Sequence, residues 1–146
     1  MIVGKRILTL LLFATPVSGG AQAADTIHAD IARFRNEKGH VLCAIFSTPA
    51  DFPQNATKAI ARTSAVISGD HAACEFVGIR PGRYAISVFH DENDNGKLDT
   101  KMFGIPREGV GASNDARGHF GPPKFEDAAF WFRGGRLDLK INLAYL

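Results

Sequence analysis

Apolar and polar side chains alternate along much of the chain, a pattern typical of β-strands that bury one face. The clearest example lies near the C-terminus, where Leu137, Leu139 and Ile141 alternate with Asp138 and Lys140. These positions predict the last strand of the fold.

The stretch from 40 to 47 is apolar at nearly every position. A strand of this kind buries both faces, so it should lie at the centre of a sheet. Ile27 and Ile31 mark an earlier strand, and the polar segment 36–39, which ends in glycine, predicts a hairpin between the two.

Further apolar stretches predict strands at 74–79, 84–89 and 129–133. The segment 59–67 is a weaker candidate for a strand, and a short helix within 55–61 is the alternative. The total is about seven strands, which indicates an all-β fold, an antiparallel β-sandwich.

Residues 100–127 are rich in glycine and proline and predict one long irregular loop. Long loops in compact domains are usually functional or disordered. Apolar side chains spaced through this loop favour a segment that is pinned to the body of the domain; they are Phe103, Ile105, Val110, Phe120 and Phe125.

The N-terminal residues 1–23 have the features of a secretory signal: basic Lys5 and Arg6, an apolar stretch and a small-x-small cleavage pattern. We therefore expect one exported domain at 24–146, periplasmic or secreted and monomeric. The apolar stretch is too short to span a membrane. Removing Lys5 and Arg6 with the signal leaves equal numbers of basic and acidic side chains, which argues against a nucleic-acid-binding protein.

The chain has two cysteines, Cys43 and Cys74. In an oxidising compartment such a pair commonly forms a disulfide. Two buried free thiols are the alternative. The cysteines lack the C-x-x-C spacing of a redox-active pair.

The acidic segment 91–99 has oxygen-bearing side chains at alternate positions followed by a glycine, as in a loop that wraps a calcium ion. Its candidate ligands are Asp91, Asn93, Asn95, Asp99 and, through the backbone carbonyl at position 7, Lys97. The twelfth position holds Met102 instead of a glutamate, and Glu108 is the candidate replacement. With few charged ligands, calcium should bind weakly, with a Kd of roughly 0.1 to 1 mM. A solvated turn without a metal is the alternative.

The segment from Pro81 to Phe125 carries several motifs in succession: P-G-x-Y-A, H-D-E-N-x-N-G-K-L-D, F-G-I-P-x-E-G-x-G-x-S-N and G-P-P-x-F-x-x-A. In these it resembles a bacterial family of small secreted proteins known only as a domain of unknown function, number 2141. The resemblance implies a secreted or periplasmic β-domain and brings no established reaction. The P-G-x-Y segment is also similar to prealbumin-like (transthyretin-like) sandwiches, an analogy of fold alone.

Three functions from different classes are open, one of them an envelope protein that acts only through assembly. The leading interpretation is a noncatalytic exported module in which calcium braces the loop, with an unknown protein or glycan as ligand. The alternative is a small periplasmic hydrolase that uses His90, Glu108 and Asp91, although the favoured interpretation of His90 is a hydrogen-bonded surface residue. Ser113 does not fit the G-x-S-x-G nucleophile pattern.

Overall fold

The structure is a computed structural model that describes residues 19–146. Residues 1–18, most of the expected signal segment 1–23, lie outside the described residues, so the signal and the domain boundary after residue 23 remain predictions. The described chain is an all-β sandwich of two sheets, as the alternation of side chains predicted. No helix in the described part is long and apolar enough to cross a membrane.

Eight strands form the sandwich of the described chain, with one very short α-helix, α1, at Phe125–Ala128 and three 3-10 helices at Ala56–Lys58, Met102–Gly104 and Ser113–Asp115. The strands are β1 (Thr26–Ala32), β2 (His40–Phe46), β3 (Ala61–Val66), β4 (His71–Val77), β5 (Gly82–Asp91), β6 (Val110–Ala112), β7 (Phe130–Phe132) and β8 (Arg136–Asn142). The first sheet has the order β4-β1-β8, and the second has the order β3-β2-β5-β6, with β7 paired to β5.

The main core lies between the two sheets. Alternate residues of β1, including Ile27 and Ile31, face the alternate residues Val41, Cys43 and Ile45 of β2 and are almost fully buried. β2 is also buried on its opposite face, through Ala44 and Phe46, and it lies between β3 and β5. The prediction of a central strand that is apolar on both faces is confirmed.

The predicted hairpin between the first two strands is wrong. β1 pairs with β4 and β8, whereas β2 pairs with β3 and β5. Both strands bury an apolar face, and placing them in opposite sheets lets these faces pack against each other across the sandwich. The segment 36–39 therefore crosses from one sheet to the other. The pairing of β1 with β8 is parallel, a departure from a purely antiparallel sandwich.

The segment 100–127 is less irregular than its composition predicts, because it contains β6 and leads into α1. Phe125 does pin it to the body: its ring stacks edge-on against Phe52, which stacks in turn on Phe46. Phe103 and Phe120, however, project into solvent with relative exposures of 93% and about 100%. Ile105 is also exposed, so the prediction that all the apolar side chains of this segment pack on the domain is wrong for these three residues.

A disulfide joins Cys43 of β2 to Cys74 of β4 and so links the two sheets through the core. The predicted bridge is present. It closes a loop with a sequence separation of 31 residues, and in the chain-entropy model a crosslink of this length stabilises the fold by about 3 to 4 kcal/mol.

The double substitution Cys43→Ala and Cys74→Ala should therefore lower the free energy of unfolding by about 3 to 4 kcal/mol, because it restores the freedom of the unfolded chain. Urea denaturation of the oxidised protein and the variant measures the difference. The reduced wild-type protein should resemble the variant. Equal stability of all three forms would contradict a structural role for the bridge.

Candidate functional site

The acidic segment 91–99 begins where β5 ends, at Asp91. The side chain of Asp91 is only 2% exposed, and its two oxygens accept hydrogen bonds from the backbone N–H groups of Asn95 (3.1 Å) and Gly96 (2.7 Å). Gly96 has a φ of 73°, a conformation that glycine adopts without steric cost. Asp91 thus fixes the turn of the loop from its buried end.

Glu108 joins the two ends of the same loop. It is 4% exposed, and its Oε1 and Oε2 accept hydrogen bonds from the N–H groups of Glu92 and Asp99, each at 3.0 Å. A carboxylate that accepts bonds from backbone N–H groups makes charge-assisted hydrogen bonds. Glu108 therefore holds the loop closed from outside, and both of its oxygens face the backbone.

The exposed side of the loop is organised around Asp99. The amide nitrogen of Asn93 donates to Asp99 at 2.7 Å, and that of Asn95 donates to both oxygens at 3.1 and 3.2 Å. The side-chain oxygen of Asn93 accepts from the N–H of Asn95 at 3.3 Å, and that of Asn95 from the N–H of Lys97 at 2.9 Å. The amide nitrogens of Asn93 and Asn95 thus converge on Asp99, whereas their side-chain oxygens bond to the loop backbone.

The structure brings the predicted ligands together in two layers. Asn93, Asn95 and Asp99 share one cluster, and Asp91 lies behind it with both oxygens bonded to the loop backbone. Lys97 takes part through its backbone N–H, and Glu108 supports the loop from the side of Asp99 and Glu92. Within residues 19–146, no three His, Cys, Asp or Glu side chains form a group that could hold a metal ion. Two of the four predicted side-chain ligands in the loop are asparagines, which are not among those four residue types.

Two contacts outside the loop that the sequence pattern did not indicate also position it. Gly39 lies so close to the backbone that a Cβ atom there would be 1.8 Å from the carbonyl oxygen of Asp91. The Nδ1 atom of His40 lies 2.7 Å from Oδ1 of Asp94, a residue with a φ of 54°. The residues that begin β2 thereby hold the loop against the second sheet.

His90 is fully buried beside the loop, so the expectation of a surface residue is wrong. Its Nε2 lies 2.6 Å from the carbonyl oxygen of Lys38, which can only accept, so this nitrogen carries the proton. Its Nδ1 then accepts from the hydroxyl of Tyr145 at 2.8 Å, and that hydroxyl accepts from the N–H of Arg35. Both ring nitrogens are engaged, an arrangement typical of a structural histidine.

The same group of residues shifts two pKa values. Burial tends to raise the pKa of Glu92, but hydrogen bonds from Asn36 and Arg35 and the charge of Arg35 outweigh this effect and lower the pKa below its usual 4.5. Burial raises the pKa of Tyr145, and the charge of Glu92 contributes to the rise. The guanidinium of Arg35 also lies over the Tyr145 ring, 4.6 Å from its centre.

Ser113 is fully buried. Its hydroxyl donates to the carbonyl oxygen of Ala128 at 2.5 Å and accepts from the N–H of Ile86 at 2.9 Å. The neighbouring Asn114 donates to the carbonyl oxygen of Ala129 at 2.9 Å. These bonds attach the end of β6 to α1 and β5, a structural role that leaves no exposed nucleophile at Ser113.

Glu108→Gln should destabilise the protein by about 1 to 3 kcal/mol, because one of the two backbone N–H groups loses a carboxylate acceptor and faces an amide N–H₂ group. Urea denaturation measures the change. Glu126→Gln, at an exposed position of α1, is the matched control and should have little effect. A stability equal to that of the control would show that Glu108 does not hold the loop.

Stability should also depend on Glu92 at acid pH. Because the pKa of Glu92 is lower in the folded protein, its contribution is present above the usual 4.5 and is lost as the pH falls through the folded value. Between pH 7 and pH 3 the free energy of unfolding of wild type should thus fall more steeply than that of Glu92→Gln. Parallel pH profiles of the two proteins would contradict this coupling.

Comparison with known proteins gives a family and no further relatives. A family model described as "Uncharacterized protein conserved in bacteria (DUF2141)" matches residues 29–140, more than half of the chain. No curated protein and no solved structure matches the chain significantly. The matched segment includes the whole acidic loop and Glu108, as the motifs of that segment implied. The prealbumin-like likeness remains a prediction. The chain belongs to the DUF2141 family of bacterial proteins.

Proposed function

We propose that this protein is an exported, noncatalytic binding module in which a calcium ion braces the loop 91–99. The observation that supports this proposal most is the convergence of Asn93 and Asn95 on the carboxylate of Asp99 within one closed loop. Calcium prefers several oxygen ligands in a flexible arrangement, and carboxylate and amide oxygens are among them.

A cation beside Asp99 would replace the two amide N–H₂ groups as the partners of that carboxylate. Rotation of the Asn93 and Asn95 amides would then present their oxygens, and the backbone carbonyl of Lys97 would be a further ligand. Asp91 accepts only one hydrogen bond at each oxygen, and a carboxylate has about four acceptor sites. Glu108 likewise accepts one backbone N–H at each oxygen, so it positions the loop and retains acceptor sites for a cation.

Export is supported by the disulfide between Cys43 and Cys74, because such bridges persist in oxidising compartments. A periplasmic or secreted location, with the segment 1–23 as the signal, follows from this argument together with the sequence of that segment.

The hydrolase alternative finds little support in the positions of its residues. His90 is fully buried with both nitrogens engaged, and Glu108 and Asp91 are buried and bonded to backbone N–H groups. A general base must be within reach of a substrate proton. A binding role for the segment up to Phe125 is favoured because this segment exposes the large apolar side chains of Phe103 and Phe120.

Calcium at 10 mM should raise the free energy of unfolding by about 1.4 to 2.7 kcal/mol if the Kd is about 0.1 to 1 mM. Thermal unfolding and calorimetric titration with calcium and magnesium measure the effect. Asp99→Asn should abolish it, because that variant removes the carboxylate at the centre of the cluster.

Asp94→Asn is the control, since it removes the same charge from the same loop at a residue that bonds His40 instead of the cluster. It should retain the response to calcium. The absence of any calcium effect on wild type, or equal effects in wild type and Asp99→Asn, would refute the metal site.

A further inference from the structure

The outer face of the second sheet carries an open groove, which we call the outer groove. Its floor consists of two adjacent rows of residues across β3, β2, β5 and β6. In register, one row is Ser64, Leu42, Phe89 and Val110, and the other is Arg62, Ala44, Ser87 and Ala112. Its volume is about 1410 Å³, ample for a small-molecule ligand, since ligand pockets commonly measure about 300 to 1,000 Å³.

The groove has defined ends and walls. At one end, Phe52 and Phe125 belong to a second apolar cluster that buries Phe46 and Ala85 of the next row and also Ala44 and Ala112. The open apolar part of the floor therefore lies around Leu42 and Phe89. At the other end lies the acidic loop, whose residues 96–98 line the groove.

One wall is a narrow turn of the backbone that follows the acidic loop. The N–H of Arg107 bonds to the carbonyl oxygen of Asp99 at 2.8 Å, and the N–H of Lys101 to that of Ile105 at 2.6 Å. Phe103 lies at its tip with a φ of 61°. This left-handed conformation is uncommon for a bulky residue, and such strain often marks functional sites. The segment 116–123 also lines the groove and carries the exposed Phe120.

The floor offers apolar contact and few free backbone groups. β2 is paired on both sides, by β3 and β5, and β5 is paired in the groove by β2 and β6. Most backbone N–H and C=O groups beneath the groove are therefore already bonded to neighbouring strands. An extended peptide, which needs backbone partners, would find them only along the open edge of β3. A hydrocarbon chain needs no backbone hydrogen-bond partners.

The charged side chains that line the groove are mostly basic. Arg62, Lys97 and Arg117 line it, and none of them forms a salt bridge within the described chain. The acidic residue in the lining is Asp115, whose two oxygens accept hydrogen bonds from the backbone and side-chain nitrogens of Asn142. The remaining positive charge is complementary to an anionic head group.

We propose that the outer groove binds a single-chain anionic amphiphile, a fatty acid, with its hydrocarbon chain over Leu42 and Phe89 and its carboxylate near Arg62 and Arg117. Phe103 and Phe120, which line the groove, offer the chain further apolar contact. This inference rests on the proposed binding role but does not require calcium.

Calorimetric titration of the purified protein with octanoate, decanoate and dodecanoate, each below its micellar concentration and in the presence of EDTA, tests the proposal. Affinity should rise about two- to fourfold with each added methylene, as expected for burial of a hydrocarbon chain. 1-Decanol keeps the chain and removes the charge, and it should bind at least tenfold more weakly than decanoate.

Two variants locate the site. Leu42→Asp places a carboxylate in the floor and should abolish decanoate binding. Arg62→Gln combined with Arg117→Gln leaves the floor intact and should weaken binding at least tenfold. Arg133→Gln, an exposed arginine outside the groove, is the matched control and should bind as wild type does. Thermal unfolding confirms that each variant is folded.

The proposal would be supported if the affinity rises with the length of the fatty acid in wild type and in the control, and if this dependence is lost in the groove variants. Absence of binding to all three fatty acids would overturn it, as would binding to phosphatidylglycerol vesicles without binding to dissolved decanoate, which would indicate a membrane surface as the partner. The Asp99→Asn variant should bind decanoate in EDTA as wild type does. The decanoate titration in EDTA therefore tests the groove, and the response to calcium tests the metal site, so either proposal can fail without the other.

Discussion

The second sheet is apolar on both faces, and this constraint determines much of the architecture. The inner face of β2 and β5 forms the sandwich core with the first sheet, where Cys43 is bridged to Cys74. The outer face needs a cover of its own, and Phe52 and Phe125 supply it over only part of the surface. The remainder, around Leu42 and Phe89, is the floor of the outer groove. An apolar surface left open beside basic side chains is typical of a binding site.

The acidic loop and the groove form one continuous structure. Glu108 bonds to both ends of the loop, at Glu92 and Asp99, and the wall that carries Phe103 begins at Asp99. A cation at the loop would therefore stabilise the segment from which this wall extends. The buried His90, together with Tyr145 and Arg35, anchors the other side of the loop to the body of the domain. In this account the loop is a support for a recognition surface, and its chemistry is structural.

Much of the fold could be predicted from the sequence, because alternation of side chains reports directly on burial. The central position of β2, the last strand and the Cys43–Cys74 bridge were predicted correctly. The pairing partners of β1 could not be predicted. Apolar patterning shows which face of a strand is buried, but it does not show which strand lies alongside. The loop motif identified Asp91 and Glu108, but their partners are backbone N–H groups, which carry no sequence signal. The groove was missed because large apolar residues such as Phe103 and Phe120 are expected to pack in the core, whereas both are exposed in the structure.

The central claim is that the open part of the outer face of the second sheet is a binding surface supported by the acidic loop. Amide NMR spectra of the ¹⁵N-labelled protein, titrated first with decanoate and then with calcium, test it most directly. The account predicts that decanoate shifts the amides of Leu42, Phe89 and Val110 and that calcium shifts those of residues 91–99. Shifts induced by decanoate that are confined to the first sheet, with the outer groove unchanged, would contradict it.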